Sequence, residues 1–346
     1  MIKEGILDVV MAAEVGLLVV SVFLYFAHGV WLFFHQRRRE RLIGEARKQL
    51  ARLLTRSTVS PENVHALGRL PHGVQIAVFL EISQNITGTG KEKLRFIAGE
   101  IRLLDRAMGY CRSRSWSRRL RGTRLLARMD VSDPLVEQLL ADPHPAVRAQ
   151  AAEWAAAHPT VPVVAEMLDM LADPATLARF AVQDALLRMG PIVVDPLVRF
   201  LETHSGKPAE SGLRLAEALA GPTFLPAGIS FASSEDPALR TSAANLLGAI
   251  GNMSAASRLI EMLSDSHSDV RASAASGLGR MRHWQAASDL AKGLCDSAWA
   301  VRRDSALALR ALGAPGVLLL RRALKGSDAF AADMARQTLD LPATAG

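Results

Sequence analysis

The sequence predicts an all-α fold, in which an N-terminal transmembrane helix precedes an α-solenoid of stacked helix pairs. A run of about twenty apolar residues near the N-terminus predicts the first element. A pattern that recurs with a period of about 31 residues in the second half predicts the solenoid. Apolar residues make up 49% of the chain and aromatic residues only 5%, which suits closely packed helices better than a β-sandwich or barrel.

Five segments follow from these features. They are an N-terminal tail with the transmembrane helix, a basic juxtamembrane helix, degenerate helical repeats with an arginine-rich helix, a regular repeat array and a tail. The predicted boundaries are 1–35, 36–56, 57–130, 131–341 and 342–346.

The net charge of +7 is unevenly distributed along the chain. Residues 1–130 carry 22 Lys and Arg against 11 Asp and Glu, whereas residues 131–346 carry 19 against 23. Basicity confined to the N-terminal part disfavours nucleic-acid binding by the whole chain and favours a local anionic partner.

Residues 15–34 contain no Asp, Glu, Lys or Arg. As a helix they would span about 30 Å, the thickness of a bilayer core. A cleaved signal peptide would have a shorter core preceded by basic residues, whereas here the basic block follows the core. Because positive charge stays on the cytoplasmic side, the N-terminus is predicted outside and the repeats inside, at a bacterial inner membrane.

His28 is an ionisable residue within this span, which indicates a partner helix or a polar cavity; a neutral imidazole reaching the headgroups is the alternative. Beyond the span, an apolar stripe at helical spacing is formed by Leu42, Ala46, Leu50, Leu53 and Leu54. The basic helix 36–56 therefore either lies along an anionic leaflet or forms the first helix of the soluble domain.

Arginines are concentrated in two places, directly after the span and in residues 111–129. Guanidinium groups suit the recognition of phosphates and carboxylates. The arginine cluster in residues 111–129 could contact anionic phospholipid, bind an acidic partner or a small nucleotide such as a cyclic dinucleotide, or be a solvated helix face. The candidate residues are Arg37, Arg38, Arg39, Arg41 and, on one predicted helical stripe, Arg114, Arg118, Arg121 and Arg128.

The repeat is marked by an Arg that follows an Asp by six residues and opens an Ala/Leu-rich helix. Asp is favoured at helix N-termini, and a buried Arg needs partners. Both residues are therefore predicted to stabilise the repeats. The set comprises Asp142, Arg148, Asp173, Arg179, Arg240, Asp265, Arg271, Asp296 and Arg302.

This D…VRxxAAxxLG pattern resembles the short HEAT-like repeats related to those of phycobilisome lyases, over about residues 131–341. The resemblance implies that the Asp caps a helix and that the Arg reaches a carboxylate or carbonyl of the adjacent repeat. Tetrapyrrole lyase activity follows from the resemblance alone, and the predicted anchor and the lack of a selected cysteine argue against it.

Two segments depart from the repeat. Residues 204–212 (HSGKPAESG) read as a loop inserted between units. Residues 221–236 replace most of a first helix and are predicted to expose a recognition surface formed by Phe224, Leu225, Ile229 and Phe231.

No catalytic or metal-binding motif is present, so neither an enzyme nor a cofactor is expected. The favoured function is a membrane-tethered cytoplasmic scaffold or adaptor for a protein partner, such as a membrane-embedded enzyme or transporter. The alternative is a regulatory subunit that senses a cyclic dinucleotide through the arginine-rich helix.

Overall fold

The computed structural model describes residues 2–55 and 61–342, and every regular element in these ranges is helical. The predicted all-α class is therefore confirmed. Contacts divide the chain into two units, Met1–Leu135 and Val136–Gly346. The predicted boundary at residues 56 and 57 and the tail residues 343–346 lie outside the described residues.

The described part of the first unit contains one very long helix followed by five shorter ones. Helix α1 runs without a break for 54 residues. The helices are α1 (Ile2–Thr55), α2 (Pro61–Gly68), α3 (His72–Ser83), α4 (Thr89–Glu100), α5 (Leu103–Cys111) and α6 (Trp116–Met129).

The last turns of α1 are packed against other helices. There Ala46, Leu50 and Leu53 are buried in the unit, and Arg47 forms a 2.7 Å ion pair with Glu81 of α3. This end of α1 is thus the first helix of the packed unit, which is the second of the two alternatives for the segment.

Among the side chains described in residues 16–34, all are exposed. This segment belongs to the one helix of the described chain that is long and apolar enough to cross a membrane. Nothing within the described chain covers it, in contrast to the apolar core helices of a soluble domain, which are buried.

The second unit, as far as it is described, is a solenoid of seven helix pairs. Five of its first helices adjoin short 3₁₀ turns, at Leu139–Ala141, Met170–Ala172, Gly190–Val193, Pro222–Phe224 and Trp284–Ala286. The first helices of the pairs are α7 (Pro134–Gln138), α9 (Val161–Asp169), α11 (Val194–Thr203), α13 (Leu225–Phe231), α15 (Met253–Met262), α17 (Ala287–Gly293) and α19 (Ala314–Ala323). The second helices are α8 (Pro145–Ala155), α10 (Thr176–Met189), α12 (Gly206–Leu219), α14 (Pro237–Ile250), α16 (Ser268–Arg280), α18 (Trp299–Ala311) and α20 (Ala329–Asp340).

Local sequence fixes several helix ends. Thr160, Asn252 and Asp328 each accept a hydrogen bond from the backbone N–H three residues later, which satisfies a donor that the first helical turn leaves unpaired. At the other end of α14, Gly251 adopts φ +71°, the left-handed conformation that commonly ends a helix. These side-chain caps and the left-handed glycine therefore mark where helices of the repeats begin and end.

Most of the segment 204–212 is helical instead of irregular, since residues 206–212 belong to α12. It does not form a loop, because α12 begins at Gly206 and buries Ala209, Leu213 and Ala216 on one face. Pro208 lies in the first turn, where its missing N–H is not needed. The interpretation of this segment as an insertion was wrong.

The predicted exposed surface at 221–236 is also corrected. Phe224 is 0% exposed, and Leu225 and Phe231 pack partly buried against the core of the unit. Of the four predicted surface residues only Ile229 is exposed, at 39%. The segment is a shortened first helix whose apolar side chains face its partner helix α14, because Gly228 allows Leu247 to approach closely.

The second helices of neighbouring pairs α14 and α16 are in close contact at two glycines, Gly248 and Gly277. A Cβ added to Gly248 of α14 would lie 2.6 Å from the Gly277 Cα of α16. We expect Gly248→Ala to lower the free energy of unfolding of the second unit by about 2 kcal/mol, because the helices must separate. Chemical denaturation checks this. Gly99→Ala is the matched control, since its Cβ would meet nothing within 4 Å and should leave stability unchanged or slightly raised. Equal effects of the two substitutions would contradict the close contact.

Candidate functional site: the arginine ladder and its open ends

Arg148 shows the contact that joins successive helix pairs. Its Nε and Nη2 donate to the two carboxylate oxygens of Asp173 at 2.7 and 2.8 Å, in a bidentate arrangement. Its Nη1 donates to the backbone oxygens of Asp142 and Pro143. One guanidinium therefore closes the turn of its own pair and binds the turn of the next pair.

The same geometry recurs further along the chain. Arg240 binds Asp265 with two 2.8 Å hydrogen bonds, and Arg271 binds Asp296 at 2.7 and 2.8 Å. Each acceptor also receives a backbone N–H two residues later, as Asp265 does from His267. The paired side chains lie 25 residues apart in sequence, and we call this set of Arg–Asp contacts the arginine ladder.

Burial and charge make the ladder contacts stronger than surface ion pairs. Side-chain exposures are 13% for Arg240 and for Asp265, and 16% and 14% for Arg271 and Asp296. The hydrogen bonds from Arg240 and Arg271 hold the pKa of Asp265 and Asp296, respectively, below the usual aspartate range. At Asp173 burial raises the pKa, but the bonds from Arg148 and from the Ala175 N–H outweigh it and the pKa is lowered.

These pKa shifts predict an acid limit to stability. A carboxyl with a lowered pKa in the folded state stabilises the fold above its unfolded pKa of about 3.9, and this contribution disappears as the pH falls through the folded pKa. We expect the free energy of unfolding to decrease below about pH 4, and Asp265→Asn to remove part of this dependence. Denaturation curves between pH 6 and pH 3 measure it. An unchanged slope in Asp265→Asn would contradict the assignment.

The ladder is interrupted at Arg179 and ends at Arg302. Both donate Nη1 to the carbonyl of the Asp six residues earlier, at 2.9 and 2.7 Å. Twenty-five residues later, however, stand His204 and Ser327 instead of Asp. Within the described residues, neither arginine forms a hydrogen bond to a carboxylate.

The arginine-rich segment forms α6, but not all of its arginines lie on the helix. Arg114 precedes the first residue of α6, so the predicted four-residue stripe is reduced to Arg118, Arg121 and Arg128. All three side chains are exposed, and in the described part of the chain their guanidinium groups form neither hydrogen bonds nor ion pairs.

Arg37, Arg38, Arg39 and Arg41 follow the apolar stretch on α1 and are exposed. Arg37 lies over the ring of Phe33, 4.6 Å from its centre. A second set of rings lies along α1, where His28 stacks on Trp31, which in turn contacts His35 at 5.1 Å. Both sets belong to the first unit, whereas the ladder belongs to the second.

The two cysteines differ in surroundings. Burial raises the pKa of the Cys111 thiol to about 11, and Cys111 lies directly against Gly122 of α6. Cys295 is exposed. In the searched residues, no group of three or more His, Cys, Asp or Glu could hold a metal ion.

Sequence reasoning missed the exposed hydrophobic residues near the turns between paired helices. Trp299 and Phe330 occupy equivalent positions in successive repeats, and are 56% and 69% exposed. Trp299 lies under Arg303, and Phe330 under Arg302. Their separation equals the repeat period of 31 residues, and this spacing could have identified them. The other repeats carry no aromatic residue at this position.

Comparison with known proteins identifies this architecture. Residues 212–278 and 256–340 match the family model of HEAT repeats. No curated protein matches the sequence. Within these matched residues, the repeats of the second unit are HEAT repeats. The Arg–Asp contact of the ladder also occurs before the matched residues, between Arg148 and Asp173.

Solved structures share the fold at low sequence identity. The karyopherin Kap121p, solved bound to the SUMO protease Ulp1p, aligns with a TM-score of 0.57 at 13% identity, covering 85% of this chain and 41% of the karyopherin. An engineered protein aligns with a TM-score of 0.40 at 16% identity, covering 85% of this chain and 98% of its own. The Kap95:Nup1 complex aligns with a TM-score of 0.49 at 10% identity, covering 85% and 51%. The karyopherin match supports a helical solenoid and no more.

Proposed function

We propose that this HEAT-repeat chain is a membrane-tethered scaffold, in which residues 16–34 cross a bilayer and the second unit binds a protein partner. HEAT solenoids are typical of protein-interaction scaffolds, and the extended surfaces of stacked repeats suit this role. The proposed partner is itself a membrane protein, because the tether confines the solenoid to the membrane surface.

The exposed apolar stretch of α1 is the observation that carries the proposal. Apolar side chains such as Leu17 and Leu24 are 76% and 61% exposed, and only lipid or another apolar surface would remove them from water. A cleaved signal peptide would leave the mature protein, whereas this stretch continues as one helix into the buried residues Leu50 and Leu53. This continuity favours a permanent anchor.

The exposed arginines after the stretch support an orientation with the second unit in the cytoplasm. Arg37, Arg38, Arg39 and Arg41 lie within two turns of Phe34. Basic residues next to a span remain on the cytoplasmic side and contact anionic headgroups, each gaining about 1 kcal/mol near the surface.

Purification from membranes tests the proposed partner binding. Extraction of the tagged full chain in a neutral detergent should recover one membrane protein in stoichiometric amount. Recovery of the same protein with an unrelated protein that carries the same span would show that the solenoid contributes nothing. A chain recovered alone after mild crosslinking would contradict the scaffold role.

A second candidate function rests on α6. Arg118, Arg121 and Arg128 have no ionic partners in the part of the chain that the structure describes, so an anionic ligand has donors available. Cyclic dinucleotides and anionic vesicles are the two probes to compare. Calorimetry on the full chain and on Arg118→Ala/Arg121→Ala separates them: heat with the nucleotide that the variant loses supports a regulator, and binding to vesicles alone supports lipid contact.

A further inference from the structure

The guanidinium of Arg302 has an unused edge. In Arg148, Arg240 and Arg271 the edge formed by Nε and Nη2 binds both oxygens of an aspartate. Among the described residues, Arg302 donates through Nη1 alone, to the carbonyls of Asp296 and Ser297. Its Nε is buried and has no hydrogen-bond partner among the described residues. A buried donor without a hydrogen-bond partner destabilises the folded protein, so a ligand that accepts a hydrogen bond from it would be stabilising.

The missing partner has a structural cause. The ladder position after Arg302 is occupied by Ser327, and the carboxylate one residue later, that of Asp328, forms no hydrogen bond with Arg302 among the described residues. Asp328 accepts the Ala331 N–H at 3.0 Å as the cap of α20. The carboxylate is thus displaced by one residue from the ladder position, and the Nε edge of Arg302 remains open.

Large exposed side chains lie near both open arginines, and closed Arg271 shares one of these positions, because Trp299 follows Arg271 by 28 residues as Phe330 follows Arg302. Near Arg302 they are Trp299 and Phe330, and near Arg179, the other arginine without a carboxylate, they are Leu177 and Phe180 at 59% and 64% exposure. At the positions of Trp299, Leu177 and Phe180, which are three and two residues before the arginine and one after it, the closed arginines have small or polar residues: Pro145, Ala146 and Ala149; Pro237, Ala238 and Thr241; Ser268, Asp269 and Ala272.

We propose that the open edge of Arg302, with Trp299 and Phe330 beside it, binds a carboxylate of a partner protein segment in which an Asp or Glu is flanked by apolar residues. The partner carboxylate completes the ladder as Asp296 does for Arg271, and its apolar neighbours cover the two rings. Phe330 is exposed and lies 5.1 Å from the Arg302 guanidinium carbon, so its ring can turn aside to admit the carboxylate.

Carboxylate is the chemistry that the site favours. In three other arginines of this chain the same edge donates to both carboxylate oxygens of an aspartate at 2.7–2.8 Å. The fork of the guanidinium matches a planar carboxylate through two parallel bonds, and desolvation by adjoining rings strengthens them. Arg179 also donates Nη1 to a backbone carbonyl and lacks a carboxylate partner among the described residues.

This inference rests on the proposed scaffold role, because it names the partner chemistry of that scaffold. The two fail separately: loss of carboxylate binding leaves membrane residence intact, and a chain found off the membrane could still bind the peptide.

Two peptides that differ by one group test the site. The probes are acetyl-Phe-Asp-Phe-amide and acetyl-Phe-Asn-Phe-amide, added to the full chain in neutral detergent with ¹⁵N-labelled arginine. We expect the Arg302 Nε–H resonance, assigned by its loss in Arg302→Lys, to move with the Asp peptide, and the Asn peptide to bind at least tenfold more weakly. Arg302→Lys should lose this preference.

Arg336→Gln is the matched control, because it removes a nearby positive charge of α20 that pairs with Asp333 instead of forming part of the ladder. It should keep the preference for the Asp peptide, and thermal unfolding should show that Arg302→Lys remains folded. Equal affinity for both peptides, no binding of either at millimolar concentration, or an equal loss in Arg336→Gln would overturn the proposal.

Discussion

Arg271→Ala should lower the free energy of unfolding of the second unit by about 2–3 kcal/mol. The substitution removes two bonds to Asp296 and two to the carbonyls of Asp265 and Ser266. It also leaves a carboxylate that is 14% exposed without its cation. Breaking a buried pair by removing one partner is costly, because the remaining charge has lost its water as well as its partner.

A double-mutant cycle isolates the ladder contact from the rest of the effect. Asp296→Ala and the combined variant, measured by denaturation, should show a coupling energy above about 1 kcal/mol between the two side chains. The control is Arg303→Ala, whose guanidinium is more exposed and which should cost less than about 1 kcal/mol. Additive effects of Arg271→Ala and Asp296→Ala would mean that the contact does not hold neighbouring pairs together.

Charges introduced into the apolar stretch of α1 should release the chain from membranes. Each Arg near the centre of a span costs about 2.5–3.5 kcal/mol, so Val20→Arg/Leu24→Arg should oppose insertion by about 5–7 kcal/mol. Neither side chain is covered by the rest of the described chain, so the melting of the two units should not change. Fractionation after alkaline carbonate extraction measures the distribution of the protein.

Leu318→Arg is the matched control for that experiment. Leu318 is 69% exposed on α19, outside the apolar stretch, and the substitution should leave the protein in the membrane pellet. If Val20→Arg/Leu24→Arg remained in the pellet with the unmodified chain, residues 16–34 would not be the anchor.

The repeat and its ladder residues were accessible from sequence because both depend on short spacings. Asp and Arg six residues apart, recurring in one unit after another, indicate a turn followed by a helix in each of those units. The pairing between units was less accessible, since it requires knowing that the Arg reaches forward to the next Asp. It follows directly once the stacking of adjacent helix pairs is known.

The two departures from the repeat were misinterpreted because both segments are rich in Gly, Pro and Ser, a composition typical of loops. In HSGKPAESG the Gly, Pro and Ser indicate a loop, yet Leu213 and Ala216 further along supply a buried face that stabilises α12 from Gly206 onwards. At Phe224 the flanking Gly and Pro suggest an exposed turn, but the ring is fully buried among neighbouring helices. Tertiary packing decided both segments, and no single stretch of sequence carries that information.

The open edges of Arg179 and Arg302 could not be predicted from the motif alone. Both residues satisfy the motif in their own repeat, and only the identity of the residue at the next ladder position separates them from Arg148, Arg240 and Arg271. The absence of an Asp at that position is a signal in the sequence, but its meaning depends on the bidentate contact that the structure shows.

Labelling of Cys295 tests most directly whether α1 holds the second unit at the cytoplasmic face of a membrane. Cys295 is exposed, whereas Cys111 is buried with a pKa raised to about 11 and should not react. Burial and the nearby Asp328 also raise the pKa of Cys295, so a membrane-impermeant maleimide is best applied at about pH 8.5. We expect labelling in inverted membrane vesicles, none in intact cells, and none in Cys295→Ser. Labelling in intact cells, or recovery of the chain in the soluble fraction, would contradict the account.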